Sequence, residues 1–356
     1  MPKIPRPPKW FRLPSQPLLR HLILAIVAGG GFYLLTNDIL STYNTYQVGE
    51  IAFYAIALGG LSILTGANGQ ISLGHGALMA VGAYTAALLM VHTHFNLVPE
   101  LLIAIGAAAI AGVIVGIPAT RLKGPYLAGM TLILALGLPL LGNQYGSVFG
   151  GDQGLVTTPP SPPGSVNPEL WLTWIEILGA LVIMVLLANL MKSRFGRMFR
   201  AVRDDEVAAS LAGIHVARTK VIAFAVSAGC AGLAGAFLAL SSGVVSSGEF
   251  PLSLSIEILA GMVLGGAGTL VGAWWGGIAL VFFPQWASSI SKAAGLGTGG
   301  NAYLGTIIFG AVLVLVMMLA PSGIQGGFRR VVSFADRRVF RPRGGDVTKS
   351  LQTGSE

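Results

Sequence analysis

Apolar blocks alternate with short polar segments along most of the chain. Blocks of about 18 or more residues with few charges have the length and composition of helices that cross a bilayer. The pattern therefore predicts an all-α, polytopic membrane protein with about ten transmembrane helices. Their expected ranges are 21–36, 48–65, 71–91, 100–119, 126–142, 170–191, 220–240, 252–267, 269–290 and 302–320.

Glycines mark two places where these ranges are interrupted. The apolar run from 258 to 283 is too long for one simple crossing, and we expect it to divide at Gly265, Gly266 and Gly268. The glycine-rich stretch GANGQ at 66–70 indicates either a loop or an unwound segment within the membrane.

The chain is expected to have three parts. Residues 1–20 form a basic, proline-rich cytoplasmic arm, residues 21–320 form the transmembrane domain with a cytoplasmic loop at 192–220, and residues 321–356 form a basic cytoplasmic tail. A basic arm followed by an apolar run also occurs in signal peptides. Because no small-residue cleavage motif follows the run here, an uncleaved first helix is favoured.

The distribution of charge orients the helices. Charged residues make up only 10% of the chain, against about 25% in soluble domains. Ten crossings with both termini in the cytoplasm place 21 of the 22 Lys and Arg residues inside, and only Lys292 outside. Basic residues favour the cytoplasmic side in this way. The net charge of +8 therefore indicates topology and contact with anionic lipid, rather than nucleic-acid binding.

Eight acidic residues fall in the outer loops or the outer turns of helices under this topology. They are Asp38, Glu50, Glu100, Asp152, Glu169, Glu176, Glu249 and Glu257. They are either tolerated where basic residues are avoided, or form an outer face that docks a partner by charge complementarity. The long Gly- and Pro-rich loop between the fifth and sixth helices is likewise a lid, a docking surface or a plain connector.

No catalytic constellation is visible in the sequence. The patterns HExxH and GxSxG, a Cys/His cluster and the phosphate-binding loop GxxxxGK(S/T) are all absent. The single cysteine, Cys230, excludes an internal disulfide and is interpreted as a small core residue. We therefore expect no catalytic residue, no metal site and no cofactor in this chain, and any ATP-driven activity needs another polypeptide.

The long internal cytoplasmic loop carries the most informative segment, SRFGRMFRAVRDDEVAASLAGIHVARTK. Asp204 or Asp205 can cap a short helix that presents Ala208 and Ala209, and Gly213 can end it. Such a helix with basic flanks suits a groove on a soluble partner. An amphipathic helix with its arginines on lipid headgroups has the same pattern, and the residues alone leave both interpretations open.

Four segments resemble the branched-chain amino acid permeases of ABC importers, most of all the M-type permease subunit. They are GQISLGHGALMAVGAYTAALL, RLKGPYLAGMTLILALG, GRMFRAVRDDEVAASLAGIHVARTKVIAFAVSAGCAGLAGA and ILAGMVLGGAGTLVGAWWGG. They occur in the family's order and, with their spacing, cover roughly residues 48–320. The N-terminal arm and the arginine-rich tail are not part of the likeness. Urea and short-chain amide permeases share these motifs and are the alternative for the substrate.

The resemblance implies a multi-pass transport subunit of the bacterial inner membrane, which is not itself an enzyme. The implied partners are a sister permease, two cytoplasmic ATP-binding subunits that hold the coupling helices, an extracytoplasmic substrate-binding protein and membrane lipid. The candidate ATPase-coupling residues comprise those at the family's motif positions, together with the neighbouring arginines and the capping acid. They are Arg197, Arg200, Arg203, Asp204, Asp205, Glu206, Ala208, Ala209 and Gly213.

A second candidate site lies at the junction of the second and third helices, where Asn68, Gln70, Ser72 and His75 cluster. Polar groups at membrane depth often line a transport pathway, and a broken helix is a natural gate. The alternative is a short cytoplasmic turn with His75 at the interface. Glu257 either faces the pore mouth or lies solvated at the outer interface.

The expected function is ATP-driven import of branched-chain amino acids by alternating access, powered by separate ATPase subunits. An ion-coupled secondary transporter requires acids within its spans, and the acids here are expected near the ends of helices. An intramembrane enzyme requires paired catalytic residues at membrane depth, and the sequence has no such pair.

Overall fold

The structure is a computed structural model that describes the chain in several stretches. They are residues 29–31, 42–93, 96–122, 124–159, 161–162, 164, 166–293 and 323–327, with six single positions between 307 and 318. The first and tenth predicted helices, the N-terminal arm and the C-terminal tail lie largely or wholly outside them, so the expectations for those parts stay predictions.

The described residues are almost entirely helical, as the apolar blocks predict. The helices are α1 (Thr42–Leu61), α2 (His75–His92), α3 (Leu97–Ala119), α4 (Pro125–Gln144), α5 (Gly146–Phe149), α6 (Pro168–Lys192), α7 (Arg194–Asp204), α8 (Glu206–Leu211), α9 (Val216–Ser242), α10 (Leu252–Gly265) and α11 (Leu270–Ala293). A π-helical turn, Ser62–Ala67, continues α1, and 3-10 turns lie at Gly151–Gln153 and Ser247–Glu249. Strands β1 (Leu155–Val156) and β2 (Val244–Val245) pair antiparallel, with Leu155 opposite Val245.

Seven segments in the described part are long and apolar enough to cross a membrane, and the apolar part of α11, Leu270–Trp286, is shorter. The chain is therefore a multi-pass membrane protein. Eight of the ten predicted ranges coincide with described helices. The division expected near Gly265 is confirmed, since α10 ends there and α11 begins at Leu270, with Gly266 and Gly268 at positive φ between them. The total of ten crossings stays a prediction.

The long helices alternate in direction, so their connections collect at two ends of the bundle. One end carries the π-helical turn at 62–67 and the turns at 120–124, 193–215 and 266–269, and the other carries those at 93–96, 145–167 and 243–251. Nine Lys and Arg residues are described, and all except Lys292 lie at or beside the first end. We call the first end the basic end and the other the distal end.

Helix α9 lies at the centre of the bundle, buried along most of its length against α1, α2 and α3. It crosses α2 where Gly82 faces Gly232, and a Cβ added to Gly82 would collide with the Gly232 backbone. Lipid tails are as apolar as the side chains, so helices in a membrane associate through close backbone approach at small residues. This crossing therefore fixes the position of α2, which carries one of the candidate sites.

Gly82→Ala should destabilise the protein, because its methyl group overlaps backbone that cannot rotate away. Overpacking of this kind costs about 1–3 kcal/mol, so we expect a lower unfolding temperature in detergent. Gly137→Ala on α4 is the matched control, since nothing lies within 4 Å of its added Cβ. Equal losses in the two variants would contradict the assigned crossing of α2 and α9.

Candidate functional site

The chain between α1 and α2 turns back into the bundle. Residues 68–74, the re-entrant segment, form neither helix nor strand. Helix α2 then begins at His75, whose Nε2 lies 2.9 Å from the carbonyl oxygen of Ala57. Ala57 precedes the end of the π-helical turn by ten residues, which is a rise of about 15 Å. Helix α2 therefore starts inside the bundle, about 15 Å along α1 from the end of the π-helical turn.

Hydroxyl groups on neighbouring helices accept hydrogen bonds from backbone N–H groups where α2 begins. Leu73 N donates to Thr131 Oγ1 on α4 at 2.9 Å, and Gly76 N donates to Ser255 Oγ on α10 at 3.0 Å. Irregular backbone is tolerated at membrane depth only where protein or water supplies its hydrogen bonds. These two contacts anchor the start of α2 between α4 and α10.

The predicted pathway residues of this region are all buried. Asn68, Gln70, Ser72 and His75 are at most 4% exposed, and His75 is fully buried. Both amide atoms of Asn68, Oε1 of Gln70 and Nδ1 of His75 have no hydrogen-bond partner among the described residues. Buried polar atoms are rarely left in this condition. Their role in a transport pathway stays a prediction.

Glu257, the fifth predicted pathway residue, lies in the second turn of α10, which begins at Leu252 beside the distal end. The residue is half-buried. It follows Ser255, whose hydroxyl accepts a hydrogen bond from the start of α2, by two residues. This position in the distal half of α10 matches the sequence expectation, and the role of Glu257 at the pore mouth stays a prediction.

The loop between α6 and α9 forms two helices at the basic end, which we call the coupling segment (residues 193–215). Helix α7 buries one face through Gly196, Phe199 and Val202. Asp205 caps α8, because its Oδ1 accepts hydrogen bonds from the amides of Val207 and Ala208 at 2.7 and 3.0 Å. The predicted short helix and its cap are therefore confirmed.

The remaining predicted coupling residues have local partners. Arg197 donates to the carbonyl oxygen of Ser193 at 3.4 Å, and Arg200 donates to that of Met191 at 3.2 Å. Asp204 pairs with its neighbour Arg203 at 2.9 Å rather than capping α8. These contacts shape the coupling segment itself and do not reach the transmembrane helices beyond α6.

Arg203 joins the coupling segment to the chain that enters the re-entrant segment. Its Nη1 donates to the carbonyl oxygen of Gly66 at 2.9 Å. Its side chain also lies over Gly69, where an added Cβ would lie 2.8 Å from Arg203 Cγ. Gly69 has a φ of 77°, so glycine suits both the close contact and the backbone conformation. The two candidate sites, which are far apart in the sequence, are thus in direct contact.

An ion pair makes a second connection. Lys220, near the start of α9, is 4% exposed, and its Nζ lies 2.7 Å from Oε1 of Glu206 on α8, whose side chain is 32% exposed. Gln70 Nε2 donates to the carbonyl oxygen of Lys220 at 3.4 Å. Because a buried ammonium group needs a partner, this contact holds α8 against α9, beside the re-entrant segment.

The outward face of α8 is apolar. Val207 and Leu211, one helical turn apart, are 67% and 85% exposed. Ala208 is exposed as well, whereas Ala209 is buried against the bundle and Gly213 ends the helix with a φ of 83°. A short helix with an apolar face, flanked by arginines, has the features of a protein-docking element.

Sequence reasoning did not assign several residues that build this arrangement. They are Gly66, Gly69, Thr131, Lys220 and Ser255. Lys220 carried a usable signal, since a lysine that opens a long apolar run needs a partner when it is buried. The hydroxyls of Thr131 and Ser255 carried none, because Ser and Thr are common in membrane helices. Among the described residues, no group of three or more His, Cys, Asp or Glu is placed to hold a metal ion.

The chain has clear relatives among known proteins, although no solved structure matches it. It is 30% identical to the high-affinity branched-chain amino acid transport system permease protein LivM of Escherichia coli K12, over 79% of this chain and 70% of that protein. It is 27% identical to the permease protein BraD of Pseudomonas aeruginosa, which carries the same description, over 77% and 91%. The xylose/arabinose import permease protein XylH of Sulfolobus acidocaldarius is 27% identical over 72% and 69%.

Residues 22–317 match the family described as branched-chain amino acid transport system / permease component. That range contains the eight described helices that coincide with predicted spans. It also contains both candidate sites. The resemblance inferred from four sequence segments is therefore confirmed across most of the chain. The chain belongs to the branched-chain amino acid transport system permease family.

Proposed function

We propose that this chain is a transmembrane permease subunit of an ATP-driven ABC importer for branched-chain, hydrophobic amino acids. The observation that carries the proposal is the contact between Arg203 and Gly66. It connects a segment with an exposed apolar docking face, outside the membrane, to irregular backbone at membrane depth. Such a connection suits a subunit that receives motion from a separate ATPase and has no ATPase site of its own.

The proposed orientation places the basic end in the cytoplasm of a bacterial cell, with the protein in the inner membrane. Support comes from the charge distribution, because eight of the nine described Lys and Arg residues lie at or beside that end. Ten crossings with both termini inside complete this topology. ATP-binding subunits then meet the exposed face of α8, and a binding protein meets the distal end.

The distal end has an ordered surface that suits the docking of a binding protein. Strands β1 and β2 join the long loop to the α9–α10 connection. Thr157 strengthens the junction, since its N and Oγ1 donate to the carbonyl oxygens of Gly243 and Ala239 at 2.9 and 2.7 Å. We propose that the extracytoplasmic binding protein docks on this loop. A sister permease subunit completes the pathway.

In the proposed mechanism, closure of the ATPase subunits displaces α8 together with α7. The Glu206–Lys220 pair transmits this motion to the start of α9, and Arg203 transmits it to Gly66. The re-entrant segment then shifts, and Asn68, with its unpartnered amide, becomes available to the pathway. The permease contributes different contacts in the inward- and outward-facing states, and ATP binding elsewhere selects between them.

Branched-chain amino acids are the favoured substrate class, because LivM and BraD carry that description. The names of the relatives give no support to the urea or short-chain amide alternative. An ion-coupled transporter is the less favoured mechanism, since it assigns no role to the exposed face of α8.

Uptake by the reconstituted complex tests the proposal. The chain should copurify with an ATP-binding subunit, and proteoliposomes with ATP and leucine-loaded binding protein should accumulate leucine. Liposomes without ATP, or with an ATPase-inactive partner, are the controls and should accumulate none. ATP-independent uptake by this chain alone would overturn the importer assignment in favour of ion coupling.

Val207→Asp should abolish copurification of the ATPase subunit, because a carboxylate in an apolar interface must be desolvated without a partner. Val156→Asp on β1 is the matched control, since Val156 is 68% exposed but lies at the distal end. It should leave ATPase binding intact. Normal ATPase recovery with Val207→Asp would remove α8 from the docking surface.

Arg203→Ala should separate ATP hydrolysis from transport. A hydrogen bond from a charged donor contributes about 1.5–3 kcal/mol, so we expect uptake per ATP hydrolysed to fall about tenfold or more. Arg197→Ala is the control, because Arg197 donates only to carbonyls of Lys192 and Ser193 in its own segment. An unchanged ratio of uptake to hydrolysis in Arg203→Ala would contradict the proposed link.

A further inference from the structure

A cavity of about 400 Å³ opens between α2 and α4 in the distal half of the bundle. We call it the outer groove. Its walls are mainly apolar, with Val81 and Leu88 on α2 and Leu138 and Leu141 on α4, and Phe149 of α5 contributes to its lining. The volume lies within the range of about 300–1,000 Å³ that is usual for small-molecule sites.

One wall of the groove contains a buried polar atom that has no partner among the described residues. The hydroxyl of Tyr84 is in this condition, and the residue is only 5% exposed. Gly142 faces it from α4, where an added Cβ would lie 3.2 Å from Tyr84 Oη and 3.5 Å from Ser247 Cβ. The absence of a side chain at Gly142 therefore lets α4 pack closely beside the hydroxyl.

A carboxylate lies near this position, although Glu249 is not part of the groove lining. Glu249 lies within electrostatic range of Tyr84, and its Oε2 is buried without a partner among the described residues. At the distal end the described residues include a single Lys or Arg, Lys292. The polar part of the groove therefore suits a cation that donates hydrogen bonds.

We propose that the outer groove is a substrate site for an α-amino acid with a branched aliphatic side chain, an inference that rests on the proposed function. The alkyl group packs between Val81, Leu138 and Leu141. The ammonium group faces the Tyr84 hydroxyl and the Glu249 carboxylate, and the carboxylate of the ligand faces out of the groove. The site lies closer to the distal end than His75, so it receives substrate before the re-entrant segment does.

Comparison with a second groove favours an amino acid over a lipid as the occupant of the outer groove. It has a volume of about 440 Å³ and lies between α3, α6 and α9, with Ile105, Ile183 and Leu186 in its walls. None of its lining residues has a buried, unpartnered nitrogen or oxygen atom. An acyl chain can fill that groove without leaving a polar side-chain atom unpaired. In the outer groove an acyl chain would leave Tyr84 and Glu249 without partners.

Thiol labelling tests the proposal in the complete transporter in lipid nanodiscs. Cys230 is the only cysteine, so Cys230→Ser provides the background for Leu138→Cys and its control, Ile183→Cys. A charged, water-soluble reagent requires a hydrated thiolate, so Leu138→Cys should react about tenfold faster or more. Val81→Cys on the facing helix should behave like Leu138→Cys and guards against misfolding of a single variant.

Protection by ligands then tests the chemistry of the site. Excess leucine should slow the labelling of Leu138→Cys, whereas isocaproate, which has the same carbon skeleton without the amino group, should not. Adding Glu249→Gln should weaken the protection by leucine about tenfold, as expected for the loss of one charge-assisted hydrogen bond.

Two results would overturn the proposal. Labelling at Leu138→Cys and Val81→Cys as slow as at Ile183→Cys would mean that lipid or a helix of another subunit fills the groove. Equal protection by isocaproate and leucine would remove the ammonium contact. The proposed function is judged separately, because the Cys230→Ser complex must still show ATP-dependent leucine uptake whatever the labelling shows.

Discussion

Backbone that is neither helical nor part of a sheet must find its hydrogen bonds within the protein when it lies at membrane depth. In this chain the constraint falls on residues 68–74, and side chains from α4 and α10 meet it. Thr131 accepts from Leu73 N, and Ser255 accepts from Gly76 N. Helix α2 can therefore begin inside the bundle, and four elements must stay together around its first turn. The close crossing of α2 with α9 then sets the position of everything nearer the distal end.

Several buried polar side-chain atoms in the same region lack hydrogen-bond partners, and this costs free energy. Asn68, Gln70 and His75 each carry a buried polar atom without a partner among the described residues. Each such group costs about 1–3 kcal/mol, so the arrangement is held by its surroundings rather than by its own bonds. In the proposed mechanism, a second arrangement gives these groups water or substrate. Arg203, on the coupling segment, contacts Gly66 and Gly69 at the edge of this region, and in that mechanism it links a displacement of α7 to the choice between the two arrangements.

The sequence predicted the parts of the fold that depend on local pattern. Apolar length located eight of the described helices, glycine chemistry located the break after Gly265, and the capping preference of aspartate located the start of α8. It did not predict the depth of the re-entrant segment, because GANGQ has the same composition as a surface turn. It also missed the contact of Arg203 with Gly66, since pairing across such a distance in sequence depends on how α1 and α7 pack.

The central claim is that the coupling segment and the re-entrant segment move together. Spin labels at Leu211 and at Ile71, each paired in turn with a reference label at Val156 in the Cys230→Ser background, measure both motions by pulsed electron paramagnetic resonance. Addition of ATP and vanadate to the full complex should change the Leu211–Val156 and Ile71–Val156 distances together, and Arg203→Ala should reduce the second change relative to the first, because the Gln70–Lys220 contact remains. A shift at Leu211 with no shift at Ile71 in the complex that retains Arg203 would contradict the account.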